Sequence, residues 1–287
     1  MTLLQYFKLI FVIIRPNMSF LHCLTYLLSA SSVFYKLDIF WMLYNLFLVA
    51  VPYSIVIYGI NDIYDYDTDI INPKKQDKSS FGSLLKKEYQ TTVMRSAIGS
   101  ALLIMISAIL SQNINLILTY SAMLTLGIIY SMPPIRLKTK PFLDSISNVF
   151  IYGLILLVPY AQTTNYLEFI ISKLSLVFPI LGFHILYALM DYEPDKKSNT
   201  TTVATKLGLF WSPIVICILV LTKPIFYPFS NSLLSYLVIF IAIAIGFLCV
   251  FHKSKYYYKI VCLLSNFSLL SIGFLVLCLT FMNFINT

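Results

Sequence analysis

Apolar runs of about twenty residues recur along this 287-residue chain, and no other feature limits its fold so strictly. A bilayer core of ~30 Å is crossed by about 20 helical residues. Within it, backbone polar groups must be satisfied internally. Measured this way, the sequence predicts nine helical spans, at about 18–35, 39–61, 93–111, 114–131, 143–162, 168–190, 209–226, 232–251 and 260–283. Pro213, Pro224 and Pro228 interrupt the seventh, a kind of break that membrane helices tolerate when neighbours satisfy the released backbone groups. Composition agrees: 59% of residues are hydrophobic and 11% charged, too few charges to cover a water-facing body of this size. The expectation is an all-α, multi-pass transmembrane helical bundle of about nine helices, with residues 1–287 forming a single domain.

Basic residues orient that bundle. With the N-terminus inside, one side of the membrane receives 17 of the 20 Lys and Arg residues, and the other only Lys36, Lys173 and Lys223. The positive-inside rule then makes the crowded side cytoplasmic. It also accounts for the net charge of +8 without nucleic acid. Lys8 and Arg15 interrupt the first apolar run and no convincing small-residue cleavage site follows, so the first helix reads as an uncleaved insertion signal. Cys23, Cys217, Cys249, Cys262 and Cys278 all lie in apolar runs without metal-ligand spacing, and are expected to be buried thiols.

Acidic residues are distributed less evenly still. Of twelve Asp and Glu, four fall in Asp62–Asp69 and three in Asp191–Asp195. Each cluster ends an even-numbered span on the cytoplasmic side and is followed by a basic loop. Asn61, Asp65 and Asp69 are spaced i, i+4, i+8, and Asp191 and Asp195 i, i+4, so each set stacks on one helical face. Glu193 is expected to point away. Stacked carboxylates repel and are costly to desolvate. A divalent cation removes both problems, and two facing helices presenting two carboxylates each would make an oxygen cage suited to Mg²⁺. One cluster alone reads equally well as helix caps in a solvated loop; two on the same side favour the metal. A cation transporter would also use carboxylates, but its sites lie near the midplane on broken helices. These clusters lie at the membrane edge beside basic loops, which suits an anionic phosphate substrate.

Between the fourth and fifth spans stands Tyr130-Ser-Met-Pro133-Pro134-Ile-Arg136-Leu-Lys138. Its prolines stiffen the loop. Arg136 and Lys138 alternate, so an extended segment would send both to one side, where Arg can grip a phosphate bidentately and Lys adds a compact charge. Ordinary positive-inside residues would not need such rigid presentation.

Asn61–Asp69 resembles the NDxxDxxxD motif of UbiA-type prenyltransferases, Asp191–Asp195 their second DxxxD motif, and Tyr130–Lys138 the YxxPPxRxK loop between them. Order, separation and span count agree over essentially the whole chain. The resemblance implies that Asn61, Asp65, Asp69, Asp191 and Asp195 hold Mg²⁺ bridging to a diphosphate. It implies that Arg136 and Lys138 contact the diphosphate, that Lys74 and Lys75 assist, and that the isoprenoid tail runs into the bundle. Asp67-Thr-Asp69-Ile-Ile-Asn72-Pro73-Lys74-Lys75, Lys140-Pro141-Phe142-Leu143-Asp144-Ser145 and Asp191-Tyr-Glu193-Pro194-Asp195 look most like lycopene elongase-type members, which attach an isoprenoid to the end of a carotenoid. Ser198-Asn199 departs from the Ala-Gly pair common there.

The implied function is transfer of an isoprenyl group from a polyprenyl diphosphate to a hydrophobic acceptor in the membrane, a carotenoid such as lycopene. An aromatic acceptor of a quinone or related lipid pathway is the alternative, and a cation-coupled transporter the competitor from another class. Partners are the isoprenyl diphosphate donor, the acceptor and membrane lipid, with no nucleic acid. The simplest location is a prokaryotic cytoplasmic membrane with the site on its cytoplasmic side. His22, His184 and His252 are scattered, and a lone His in such a chain is more often a hydrogen-bonded packing residue than a catalyst. No Ser-His-Asp set or phosphate-binding Gly loop is visible in the sequence.

Overall fold

The computed structural model describes residues 2–31, 33, 37–72, 75, 83–161, 163 and 177–226, with isolated positions at 260, 263, 264, 267, 271, 278 and 282. The predicted span at 232–251, most of that at 260–283 and the first part of that at 168–190 lie outside the described residues. Helices run in the order α1 (Leu3–Ile13), α2 (Pro16–Ala30), α3 (Ile39–Ala50), α4 (Pro52–Tyr64), α5 (Tyr66–Ile70), α6 (Gln90–Leu110), α7 (Ile114–Ser131), α8 (Leu143–Tyr160), α9 (Val177–Met190), α10 (Tyr192–Lys197) and α11 (Val203–Phe226). Among the described residues there is no strand. Among the described residues, five helical stretches are long and apolar enough to cross a membrane, or six when the bent pair α1–α2 counts as one; Ile39–Tyr64, containing α3 and α4, is a single span of 26 residues.

Local chemistry sets the helix starts. Thr2 and Gln5 form a reciprocal capping box at α1, and the Asp38 and Asn113 side chains accept from the Trp41 and Leu116 amides to cap α3 and α7. Each satisfies an amide that has no partner within its own helix. Pro16 and Pro52 open α2 and α4, where a proline loses no helical bond. Arg15, with φ 47°, turns the chain between α1 and α2, whose axes differ by 61°.

Two compact units are formed. In the first, comprising residues 1–136, 150–169 and 271–287, α4 packs against α1, α3, α6 and α7, and α2 against α3. Pro52 to Ile60 of α4 are buried without interruption. A Cβ on Gly127 of α7 would stand 2.6 Å from Ile57 Cγ2, so glycine permits that close crossing. On α6, Val93, Ala97, Ile104 and Ala108 are buried while Ile98, Leu102, Ile106 and Ile109 are exposed. That outward apolar stripe is what a lipid-facing surface requires.

The second unit comprises residues 137–149 and 170–270. Here α9 packs on α11, with Ile185, Leu186, Leu189 and Met190 against Val203, Ala204, Ile216 and Val220. In lipid this contact gains little from hydrophobicity, so close van der Waals packing carries it. The seventh predicted span, 209–226, coincides with the part of α11 that follows a break at Gly208 (φ 77°, ψ 174°), a conformation that glycine adopts without a Cβ penalty. A short helical segment, 203–207, precedes the break, and the helix runs through Pro213. Among the described residues Cys23, Cys217 and Cys278 carry free thiols and are half-buried.

Candidate active site

The first acidic motif is not one continuous helix. α4 ends at Tyr64, Asp65 takes φ −101° and ψ 4°, and α5 begins at Tyr66. The i→i−4 bonding carries across the break, from Asp65 N to Asn61 O (2.9 Å) and from Asp69 N to Asp65 O (2.8 Å). The expected stacking register therefore survives. Asn61 Nδ2 donates to Asp65 Oδ2 at 2.8 Å. Asp69 is buried and Asp67 exposed, so the motif has one inward and one outward carboxylate on α5.

Cations fill the space around these acids. Arg136 donates to Tyr64 O (3.0 Å) and Asp65 Oδ1 (3.2 Å). Lys75 Nζ lies 2.7 Å from Asp62 Oδ1 and 3.0 Å from Asp69 Oδ2. Arg15 pairs with Asp62, donates to Asn61 Oδ1 at 3.1 Å, and places its guanidinium 4.8 Å from the centre of the Tyr58 ring. Burial pushes the Asp69 carboxyl above the usual carboxylate range, with Lys75 opposing. Its Oδ2 is buried and accepts no well-formed hydrogen bond, the nearby ammonium being its counter-charge. Beyond Arg15, His22 sits within hydrogen-bonding distance of Ser54 and Tyr58 (3.0 and 3.2 Å), and Tyr58 lies 3.4 Å from Tyr152.

The basic loop also departs from expectation. Extended alternation would point Arg136 and Lys138 the same way. Instead Arg136 has φ 45°, Pro133–Pro134 is cis, and a 3₁₀ turn spans Leu137–Thr139. A tight turn has replaced the extended strand, because Arg136 N bonds back to Met132 O at 3.0 Å. Lys138 is buried and belongs to the second unit. Lys74 lies outside the described residues.

In the second unit the other acidic motif repeats the first. Asp191 has φ −95° and ψ 4° between α9 and α10, and Asp195 N bonds Asp191 O at 2.9 Å. Asp195 is buried and Glu193 exposed, as expected. Asp65-Tyr-Asp-Thr-Asp69 and Asp191-Tyr-Glu-Pro-Asp195 thus build the same corner: an aspartate at the break, a tyrosine, an outward acid and an inward aspartate. Thr202 Oγ1 approaches Asp195 Oδ2 at 3.4 Å, and Thr201 Oγ1 donates to Thr139 O at 2.8 Å.

Sequence reading did not assign roles to Arg15, Asp62 or Asp144. Asp144 is 1% exposed; its Oδ2 accepts from Val203 N (2.8 Å) and its Oδ1 from Ser145 N (2.7 Å), so it caps α11 from a distant part of the chain. A charge interrupting an apolar run was the available signal for Arg15, and an acid at the start of a span for Asp144. Neither signal names a partner.

Known proteins share this architecture. The profile of the UbiA prenyltransferase family matches residues 18–270. A lycopene elongase/hydratase of Haloarcula japonica is 34% identical over 159 residues, 55% of this chain and 52% of the relative, so the match spans about half of that protein. A lycopene elongase/hydratase of Corynebacterium glutamicum is 30% identical over 214 residues, 72% of this chain and 71% of the relative. Among solved structures, a UbiA homologue from Archaeoglobus fulgidus bound to DMAPP and Mg²⁺ aligns with TM-score 0.62 and 18% identity, over 92% of this chain and 97% of that one. The profile match, these likenesses and the membrane-spanning helices agree: this integral membrane protein belongs to the UbiA prenyltransferase family.

Proposed function

We propose that this chain transfers an isoprenyl group from an isoprenyl diphosphate to a hydrophobic acceptor, a carotenoid such as lycopene, with Mg²⁺ as cofactor. The repeated acidic corner carries the reading, because two such corners, the first with Arg136 and Lys75 against its aspartates, suit a metal–diphosphate. Asn61, Asp65, Asp69, Asp191 and Asp195 are the metal-holding residues. Their oxygens are the hard donors that Mg²⁺ takes, and the hydrogen-bond-poor Asp69 Oδ2 is such a donor. Neither unit gathers three or more His, Cys, Asp or Glu side chains into a metal-holding group among the described residues. Mg²⁺ needs no such cage, since it keeps several waters and uses one or two carboxylates with substrate phosphates.

Bound there, Mg²⁺ supplies Lewis-acid stabilisation of charge on the diphosphate oxygens. Arg136 trades its contacts with Asp65 and the Tyr64 carbonyl for a phosphate, which guanidinium can grip bidentately; Lys138, Lys74 and Lys75 add compact positive charge. Breaking the bond between C1 and the diphosphate leaves an allylic cation, and the acceptor's π electrons close the new carbon–carbon bond. The apolar interior keeps water from that cation. The carotenoid acceptor is supported by the two lycopene elongase/hydratase relatives, and a cytoplasmic-side site by the asymmetry of Lys and Arg.

The test is product identification. Purified protein in lipid is given geranylgeranyl or dimethylallyl diphosphate with lycopene or with a phenolic acid, and the extract is weighed by mass spectrometry. A carotenoid heavier by the isoprenyl unit is expected. A prenylated phenol alone would replace the acceptor with an aromatic one, and no adduct with any donor would refute transfer.

A further inference from the structure

Arg15 occupies a backbone position that an arginine fills at some cost. It joins α1 to α2 with φ 47° and ψ 82°, a left-handed conformation that glycine or asparagine adopts more readily. A larger residue keeps such a conformation when its surroundings over-determine it, and such positions cluster at functional sites. Here the surroundings are three contacts of one guanidinium, on a side chain 13% exposed. It lies over the Tyr58 ring, and its Nη2 donates to both Asp62 Oδ1 and Asn61 Oδ1. The contact with Asp62 balances charge, whereas the contact with Asn61 orients an amide.

That amide stands between two ions. A guanidinium has donors and no acceptor, and a carboxylate has acceptors and no donor. Asn61 therefore has one orientation that satisfies both: Oδ1 toward Arg15 at 3.1 Å, and Nδ2 toward Asp65 Oδ2 at 2.8 Å and Ser131 Oγ at 3.3 Å. Flipped, it would set N–H against guanidinium N–H and oxygen against carboxylate oxygen. Arg15 thus fixes which end of Asn61 meets Asp65. The N–H so presented pins Asp65 Oδ2, while Oδ1 is held by Arg136 at 3.2 Å. When Arg136 turns to a phosphate, Oδ1 is the oxygen that exchanges guanidinium for metal. A carbonyl oxygen has two lone pairs, so Asn61 Oδ1 can serve Arg15 and also meet a metal.

We propose that Arg15 is a positioning residue for the metal–diphosphate site, acting through the Asn61 amide on Asp65. The inference rests on the transferase reading above and adds to it a residue outside both acidic motifs. Groups one contact removed from a metal ligand set its orientation and basicity, and losing one typically costs ~10–100-fold in metal affinity or activity.

The experiment reads Mg²⁺ dependence without turnover. Trace radiolabelled inorganic diphosphate is equilibrated in detergent with wild type, Arg15→Met and Asn61→Asp, each shown to be folded by a cooperative thermal transition. The Mg²⁺ concentration giving half-maximal diphosphate binding is recorded. Arg15→Met should raise it ~10–100-fold, a change that loss of stability alone does not produce in protein that remains folded. Asn61→Asp separates relay from ligand, and it decides the matter if Arg15→Met does not fold. It keeps an oxygen for the metal and a partner for Arg15, but it has no N–H for Asp65. The relay predicts a rise of ~10-fold or more, whereas a position serving only as ligand would hold Mg²⁺ as tightly as before or more so. A value within about threefold of wild type in folded Arg15→Met, or in Asn61→Asp, would overturn the assignment and leave Arg15 its ion pair alone. Absence of Mg²⁺-dependent binding in the wild type would instead overturn the metal reading beneath it.

Discussion

At the level of single residues, Asp62 and Asp69 share one cation and have different work. Asp62 is 2% exposed and is held by both Arg15 and Lys75, so its charge is spent inside the protein. Removing one partner from a buried pair typically costs ~3–5 kcal/mol. Arg15→Ala should therefore lower the unfolding free energy in detergent by an amount in that range, and a change below about 1 kcal/mol would show that the pair is dispensable. Asp69 has Lys75 but no well-formed hydrogen bond, consistent with a group kept for a ligand. Asp69→Asn and Asp195→Asn should each reduce transfer by ~10²-fold or more, as loss of a preorganised charge-stabilising group does. Asp67→Asn and Glu193→Gln, on exposed side chains, should leave transfer within about threefold. Local spacing made this much legible, because i and i+4 share a face whatever surrounds the helix. Arg15 and Asp62 are 47 positions apart, and no local pattern joins them.

Helices keep their apolar register but not always their predicted ends. Proline was the visible breaker in the seventh span, yet α11 runs through Pro213 and yields at Gly208, where a positive φ is cheap. Breaks at Asp65 and Asp191 were also hidden, because i, i+4 spacing reads alike on a continuous or a cornered helix. Close packing is the other hidden property. A Cβ on Gly182 would lie 2.8 Å from Val220 Cγ2 and 3.3 Å from the Ile216 carbonyl, whereas nothing stands within 4 Å of one on Gly153. Gly182→Val should cost ~1–3 kcal/mol by overpacking the contact between α9 and α11. Gly153→Ala should be neutral or gain up to ~1 kcal/mol of helix propensity. Thermal unfolding of the two variants side by side checks both, and equal behaviour would remove the packing argument.

For the whole molecule, the membrane class was legible because bilayer thickness imposes a length on every span. The proposed orientation rests on charge: a 17-to-3 division of Lys and Arg argues for the acidic corners and the loop at Arg136 being on the cytoplasmic side. In a cysteine-free background, Lys140→Cys should react with an impermeant thiol reagent only from the cytoplasmic face, and Gln112→Cys only from the opposite one. The reverse labelling would invert the topology. Both acidic corners serving a single metal-dependent reaction is the central claim, and diphosphate release measured against Mg²⁺ tests it most directly. Release by the wild type should require both acceptor and Mg²⁺, vanish on chelation and return with added Mg²⁺. It should be lost in Asp65→Ala and in Asp191→Ala while both proteins remain folded. Release that persists without Mg²⁺, or that survives loss of either aspartate, would contradict it.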